Sequence, residues 1–424
     1  MTRYLIVGNS AGGVGAAEAI RELDRQGPLT IVSEEPCPAY SRPLIARYLA
    51  GETEPARMLY RAPDHYERLG AEVILGHALA AIDLPHHQVH LEGGHTLGWD
   101  RLLLAVGGVP IVPDAAGLQE HDHFTFTTLG DAQRLAAHLA SGRRQAVVVG
   151  GGLIGLSVSE ALVKRGLGVS IVELAPQILG RALDAHAASL ARRAVEAAGV
   201  RVLTGRTIAA VNGAAGERAV RSVVLDDGAE LECDTLVIAI GVRPRVEVAA
   251  ACGLAVNRGI VVDRHMATSH PHVYACGDVA ESYDFVASAN RVTPVWPNAY
   301  LGGRIAGRNM AGEETVYSGG TAMNSLHSFG LSIMSAGLVD PPAGDGCQVL
   351  EHSDPNQGTY RRIVVQNGRV AGMVFAGDSD RAGVVFGLMR SGVPVTLFQD
   401  RLLDGSLGLL SLPRELRERM IRDS

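Results

Sequence analysis

The sequence predicts an α/β protein in which one strand–loop–helix–strand unit occurs twice, followed by a smaller α+β tail. Three observations carry this reading. Two short apolar runs, Tyr4–Val7 and Gln145–Val149, each lead into a glycine-rich turn. Each turn opens a helix-forming stretch and then a second apolar run that ends beside an acid. Beyond about residue 315 the pattern changes to alternating segments joined by turn signals.

The first turn is Gly8-Asn9-Ser10-Ala11-Gly12-Gly13, which departs from the dinucleotide fingerprint G-x-G-x-x-G at Ser10. In that fingerprint the first glycine permits the turn, the second admits a pyrophosphate and the third lets helix and strand pack closely. Free N–H groups and the positive end of the helix then meet the phosphates. Gly8 and Gly13 keep the first and third roles. Ser10 is a small replacement for the second glycine, and its hydroxyl is itself a donor. Leu29–Val32 is the second strand of this unit, with Glu34 and Glu35 just beyond it. Glu34 lies 21 positions after Gly13, near the spacing that sets a carboxylate against a ribose 2′-OH.

The second turn is complete, Gly150-Gly151-Gly152-Leu153-Ile154-Gly155, and the strand after it ends at Glu173, 18 positions beyond Gly155. One glycine turn is weak evidence, but two with flanking strands and distal acids point to two dinucleotide sites. The only arginine soon after Glu173 is Arg181, eight residues on. A carboxylate accepts a hydrogen bond from a free 2′-OH and repels a 2′-phosphate, so NADH is favoured over NADPH at this site.

Two further runs, Arg101–Pro110 and Thr235–Pro244, are apolar strands ending in a glycine turn capped by proline, each returning the chain from one nucleotide-binding domain to the next. Their turns contain Ala105, Val106 and Gly107 in one and Gly241 in the other. A strand-like stretch from His272 to Glu281 contains Gly277-Asp278. In the tail, Gln366-Asn367-Gly368 is a hairpin signal between two alternating segments. Pro413–Ile421 reads as a charged, exposed last helix.

With 424 residues the chain is too long for one ordinary domain. Apolar residues make up 47% and charged residues 20%, a globular balance, and the 4% of aromatics leaves the cores to Val, Leu, Ile and Ala. A net charge of −7 offers no basic footprint for nucleic acid. No apolar run is long enough for a membrane-spanning helix and no signal-peptide pattern opens the chain, so a cytoplasmic protein is expected. The five cysteines are scattered without C-x-x-C, against a disulfide framework, a zinc site or an iron–sulfur cluster. No metal is expected.

On these motifs the chain resembles the two-dinucleotide flavoprotein reductases of the pyridine nucleotide–disulfide oxidoreductase superfamily. Within it the chain is most similar to the rubredoxin reductase, ferredoxin reductase and nitrite reductase flavoprotein branch. The resemblance covers about residues 1–315. In the tail, Leu326–Gly337 looks like the nitrite-reductase-type members, and the Trp-Ser-Asp run of Rieske-ferredoxin reductases is missing. It implies two Rossmann-like (three-layer ββα) dinucleotide-binding domains plus a small C-terminal α+β domain. FAD would occupy residues 1–112 and 237–315, NAD(P)H an inserted domain at 113–236, and an interface domain 316–424.

The resemblance also implies roles. FAD would be held by Gly8, Ser10, Ala11, Gly12, Gly13, Glu34, Glu35, Ala105, Val106 and Gly107. NAD would be held by Gly150, Gly152, Leu153, Ile154, Gly155, Glu173 and Gly241. Tyr40-Ser41-Arg42-Pro43 matches a Y-x-R-P element that sets Arg42 by the FAD phosphates or ribose and Pro43 against the isoalloxazine. Arg47 replaces a lysine beside flavin N5, where a fixed cation favours the reduced flavin, and is the candidate catalytic residue. Gly277-Asp278 matches a motif whose carboxylate bonds the ribitol. Trp296 and Ala299 match a W-x-x-A helix start facing the flavin pyrimidine.

Three departures stand out. Val106 replaces a threonine. Ser157 replaces a glutamate that positions the nicotinamide in relatives, with Glu160 one turn on as a partial substitute. Leu44 stands where single-cysteine members carry a redox thiol, and Cys37 lies earlier between two prolines, so electrons are expected to leave the flavin without a thiol relay. His265, His270, His272 and His327 are candidates for proton handling. The expected activity is FAD-dependent NAD(P)H oxidation, with hydride passing from NADH to flavin and electrons to a small redox protein of rubredoxin or ferredoxin type. Reduction of a small acceptor (oxygen, a disulfide or a CoA disulfide) and a flavin-bearing binding protein with little turnover are the alternatives. The protein is expected as a monomer or homodimer.

Overall fold

The computed structural model describes residues 1–404 apart from 215, 343, 344 and 397, and beyond these residues 407, 408, 412, 414, 417 and 418. The chain divides into two compact units, one of residues 1–48, 52–110 and 242–322, the other of residues 49–51, 111–241 and 323–424.

The first unit is built on a five-stranded parallel sheet. Its spatial order is Val273–Ala275, Arg101–Leu104, Tyr4–Val7, Leu29–Ser33 and Ala71–Leu75. Leu5, Ile6, Ile31, Leu102 and Leu103 are buried, as expected for strands covered on both faces. The helices Ala11–Leu23 and Trp296–Met310 pack against each other. They approach so closely that a Cβ on Gly303 would overlap the backbone of Gly12. Between the third and fourth strands in chain order, an antiparallel sheet of Leu79–Asp83, Gln88–Leu91 and Thr96–Gly98 is inserted.

The second unit repeats this plan. Its parallel sheet runs Arg201–Thr204, Gly168–Glu173, Gln145–Val149 and Thr235–Ile238, with an antiparallel insertion of Ile208–Gly213, Val220–Leu225 and Glu230–Glu232 before the last strand. The repeat thus extends well past the glycine loops. The tail contributes a five-stranded antiparallel sheet ordered Met323–Ser328, Leu331–Gly337, Arg369–Ala376, Thr359–Gln366 and Gln348–Asp354. The helix Ala382–Arg390 packs on its third strand. Asn367 and Gly368 both have positive φ (51° and 71°), as a two-residue type I′ turn requires.

Two runs fold differently from a single strand. Arg101–Pro110 is split, and its second piece, Gly108–Pro110, pairs antiparallel with Val242–Pro244. The two returning segments therefore form one ribbon. Only Val273–Ala275 of the His272–Glu281 run joins the parallel sheet, because the chain turns at Gly277 (φ 74°) before Ala280–Asp284 enters another sheet. Most of the segment 413–421, expected as the last helix, lies outside the described residues.

Candidate dinucleotide sites

In the first unit the strand Tyr4–Val7 delivers Gly8 to the C-terminal end of the sheet. The Gly8 N–H donates to the Val32 carbonyl at 2.8 Å, and its φ is 121°. A Cβ here would overlap the Ala105 carbonyl, and one on Gly13 would overlap the Gly8 carbonyl. The loop is therefore pinched between the Ala105 turn and its own helix. Ser10 is the N-cap of that helix and its side chain makes no cap bond. A Cβ on Gly12 would fall 2.7 Å from Cys276 Sγ and 3.4 Å from the Ala299 carbonyl, and one on Gly277 would meet Ala299 Cβ at 3.4 Å. Residues scattered over nearly 300 positions thus converge: the Gly8–Gly13 loop, Ala105, Gly277-Asp278 and the start of the Trp296–Met310 helix. Gly107 takes the turn at φ 70°, and Val106 packs partly buried against the core.

Asp278 retains solvent access, yet protein surrounds most of its carboxyl. Burial pushes its pKa up, and the nearby Arg42 charge offsets this only in part. Trp296 starts its helix and meets Tyr60 edge-on at 4.9 Å between ring centres. Arg42 and Pro43 lie in a short 3-10 turn, Arg42–Leu44. Arg42 pairs with Glu35, which also accepts from the Tyr40 hydroxyl at 2.6 Å. Arg47 is exposed and pairs with Glu52 at 3.3 Å. Glu34 is bound by Arg245, a residue sequence reasoning did not single out. Strand register refines the acid assignment: Val7 faces Val32 as Val149 faces Val172, so Ser33 holds the position of Glu173. Glu34 and Glu35 follow one and two residues later.

The second loop has the same backbone. Gly150 has φ 112°, its N–H donates to the Val172 carbonyl at 2.7 Å, and a Cβ would overlap the Ala239 carbonyl. A Cβ on Gly155 would overlap the Gly150 carbonyl, whereas one on Gly152 meets open space. Leu153 and Ile154 open the helix Leu153–Lys164, and Gly241 turns at φ 119°. Both Glu173 oxygens are held, one by the Gly151 N–H at 2.6 Å and the other by the Ala175 N–H at 2.7 Å. Leu174 (70% exposed) and Ile240 (39% exposed) give the strand tips beside the loop an apolar rim. The only sequence signal for them is their place just past a strand end, Leu174 by one residue and Ile240 by two.

Two expectations are corrected. Glu160 does not stand in for the glutamate missing at Ser157. Its carboxylate accepts from the Ser328 hydroxyl at 2.8 Å and pairs with Lys164 at 3.3 Å, while Ser157 Oγ donates back to the Leu153 carbonyl at 2.9 Å. His270 and His272 lie near the N-terminal end of the first sheet, around Trp99 and His87, away from the glycine loop. His265 reaches the Thr315 carbonyl and His327 is exposed beside Ser332.

All five cysteines are free. Burial, helped by Glu35, pushes the Cys37 thiol up, and burial takes Cys276 to about 12. Neither forms a thiolate readily. Among the described residues no group of histidines, cysteines and acids is arranged to hold a metal ion, and no helix is long and apolar enough to cross a membrane.

The residues present therefore fit dinucleotides at both loops. A family model described as pyridine nucleotide-disulphide oxidoreductase matches residues 2–303, and one described as the rubredoxin NAD+ reductase C-terminal domain matches residues 323–393. The chain is 31% identical over 412 residues to the NADH-dependent phenylglyoxylate dehydrogenase subunit epsilon of Aromatoleum evansii, covering 96% of each. It is 30% identical over 411 residues to the nitrite reductase (NADH) large subunit of Escherichia coli, covering 95% of this chain but only 47% of that protein. Among solved structures, the ferredoxin reductase of the CYP199A2 system from Rhodopseudomonas palustris matches with a TM-score of 0.83 at 26% identity, covering 91% of this chain and 93% of that one.

Proposed function

Because the chain belongs to the pyridine nucleotide-disulphide oxidoreductase family and is an FAD-dependent NAD(P)H oxidoreductase, we propose that it oxidises NADH and passes the electrons to a small redox protein of rubredoxin or ferredoxin type. The observation that carries this reading is the pair of matching cradles combined with a tail of the rubredoxin-reductase kind. FAD, when bound, supplies a two-electron acceptor able to release its electrons singly. In this reading FAD occupies residues 1–112 with 237–315, NADH residues 113–236, and the segment 316–424 recognises the partner, in a cytoplasmic monomer or homodimer.

The chain's own residues then act by holding and orienting. The N–H groups of the Gly8–Gly13 loop and its helix start receive the FAD pyrophosphate, with Glu34 and Glu35 toward the ribose and Asp278 toward the ribitol. Trp296 and Ala299 carry helix N–H groups to the pyrimidine, and Arg47 supplies a fixed cation near the reacting edge. At the second loop Glu173, held by two backbone donors, accepts from a 2′-OH and repels a 2′-phosphate. The raised thiols and Leu44 support electrons leaving without a cysteine relay. The Aromatoleum relative, a subunit of a larger NADH-dependent dehydrogenase, is in keeping with a protein as redox partner.

The test is an anaerobic titration of the purified protein. A yellow flavoprotein is expected, bleached by NADH, with NADPH at least about tenfold less effective, the worth of one charge-assisted contact. Reoxidation should be faster with rubredoxin or ferredoxin than with oxygen. A protein that takes up no FAD, or whose flavin NADH leaves oxidised, overturns the reading.

A further inference from the structure

In the second unit the C-terminal sheet grips both walls of the Gly150–Gly155 loop. One wall is the helix Leu153–Lys164, which starts at the loop itself. Glu160 on this helix accepts a hydrogen bond from Ser328 at 2.8 Å. Ser328 is 5% exposed and ends a sheet strand just before the tight turn at Phe329 and Gly330, both at positive φ. The other wall is the segment from Ile178 to Asp184. Its Leu179 N–H donates to the Gly151 carbonyl at 2.8 Å, and the Ile178 side chain leaves no room for a Cβ on Gly151.

That segment ends at Asp184, which is 3% exposed and caps the helix Ala185–Ala197 through the His186 N–H at 3.0 Å. The Tyr360 hydroxyl lies 3.1 Å from the same Asp184 oxygen and 2.9 Å from Glu351, sharing its one proton between the two carboxylates, and Arg362 lies 4.0 Å from Asp184. The His186 ring stacks on Tyr360 at 4.4 Å. A buried carboxylate is costly without partners, so sheet and segment are held to one relative position.

We propose that the C-terminal sheet positions the pyridine-nucleotide loop, with Asp184, Tyr360, Glu160 and Ser328 as positioning residues that set its affinity for the nucleotide. The domain assigned above to partner recognition is then also wired to the donor site. This rests on the reading that NADH binds at the Gly150 loop.

The test measures NAD+ binding to the oxidised holoenzyme by calorimetry, together with steady-state NADH kinetics. Tyr360→Phe removes one hydroxyl and should weaken NAD+ binding about three- to tenfold, the range for one ordinary hydrogen bond, because the proton is shared with Glu351. KM for NADH should rise in step, with kcat within about twofold and FAD content unchanged. Ser328→Ala should act in the same direction more weakly, and Ser328→Thr, which keeps the hydroxyl, should restore binding. Asp378→Asn is the control, because Asp378, two residues past the strand Arg369–Ala376, pairs at 2.6 Å with Arg361 of the C-terminal sheet. Wild-type affinity in both Tyr360→Phe and Ser328→Ala, or equal weakening in Asp378→Asn, overturns the proposal. If Tyr360→Phe does not fold, Ser328→Ala and its threonine rescue decide. A wild-type protein that binds no NAD+ overturns the functional reading itself, a result distinct from unchanged variants.

Discussion

The loops at Gly8 and Gly150 share a backbone and differ in what furnishes it. Each first glycine sits at large positive φ and each third glycine lies against the carbonyl of the first. In both loops these two positions are demanded by the protein's own backbone. The middle position is different. A Cβ on Gly152 meets nothing within 4 Å, so the fold itself does not require glycine there. Ser10 occupies the matching position in the same extended N-cap conformation. The fingerprint is therefore fold-imposed at its ends, while the fold leaves its middle position open. The acids differ too: Glu173 folds back on its own loop, whereas Glu34 and Glu35 are each held by an arginine.

The most severe way to test this division is Gly13→Ala. The new methyl has no space, and overpacking of this kind costs about 3 kcal/mol. The purified protein should lose its flavin colour. Gly155→Ala should instead keep the flavin and lose its reduction by NADH. A yellow Gly13→Ala protein of wild-type stability breaks the comparison.

A smaller effect separates the carboxyls of the two sites. Burial raises the Asp278 pKa, so the folded chain binds this proton more tightly than the unfolded chain does. Its contribution to stability is present below the ordinary carboxylate range and is lost as pH rises through the raised value. In flavin-free protein, Asp278→Asn should therefore gain on wild type as pH rises above the ordinary carboxylate range. Denaturant midpoints measure the gap, and a gap that does not widen with pH contradicts the buried-acid account.

Ser10→Gly should do least, changing stability by no more than about 0.5 kcal/mol with flavin retention unaltered. A large loss of FAD in this variant would instead make the hydroxyl a principal ligand.

The parallel strands were legible because they are buried on both faces and read as unbroken apolar runs, such as Leu5–Val7 and Ala146–Val149. The hairpin at Asn367-Gly368 was legible because its turn demands positive φ at both positions. At the sites the sequence yielded the loops but not the partners of their polar groups. Tyr360 meets Asp184 across 176 positions and Ser328 meets Glu160 across 168, and no local pattern encodes a polar pair so far apart. The placement of Glu160 failed for the same reason: helical spacing puts it one turn from Ser157 but says nothing of what binds it. Register, invisible before the strands are paired, set Ser33 rather than Glu34 opposite the role of Glu173.

The inert thiols carry one last consequence. Cys276 lies fully buried against the Gly12 backbone and burial pushes the Cys37 thiol up, so neither of these two thiols is poised as a second redox couple. On the proposed reading, with the flavin as the one electron store, the protein holds one electron pair at a time. A donor cannot load it twice, and a one-electron acceptor must call twice to empty it.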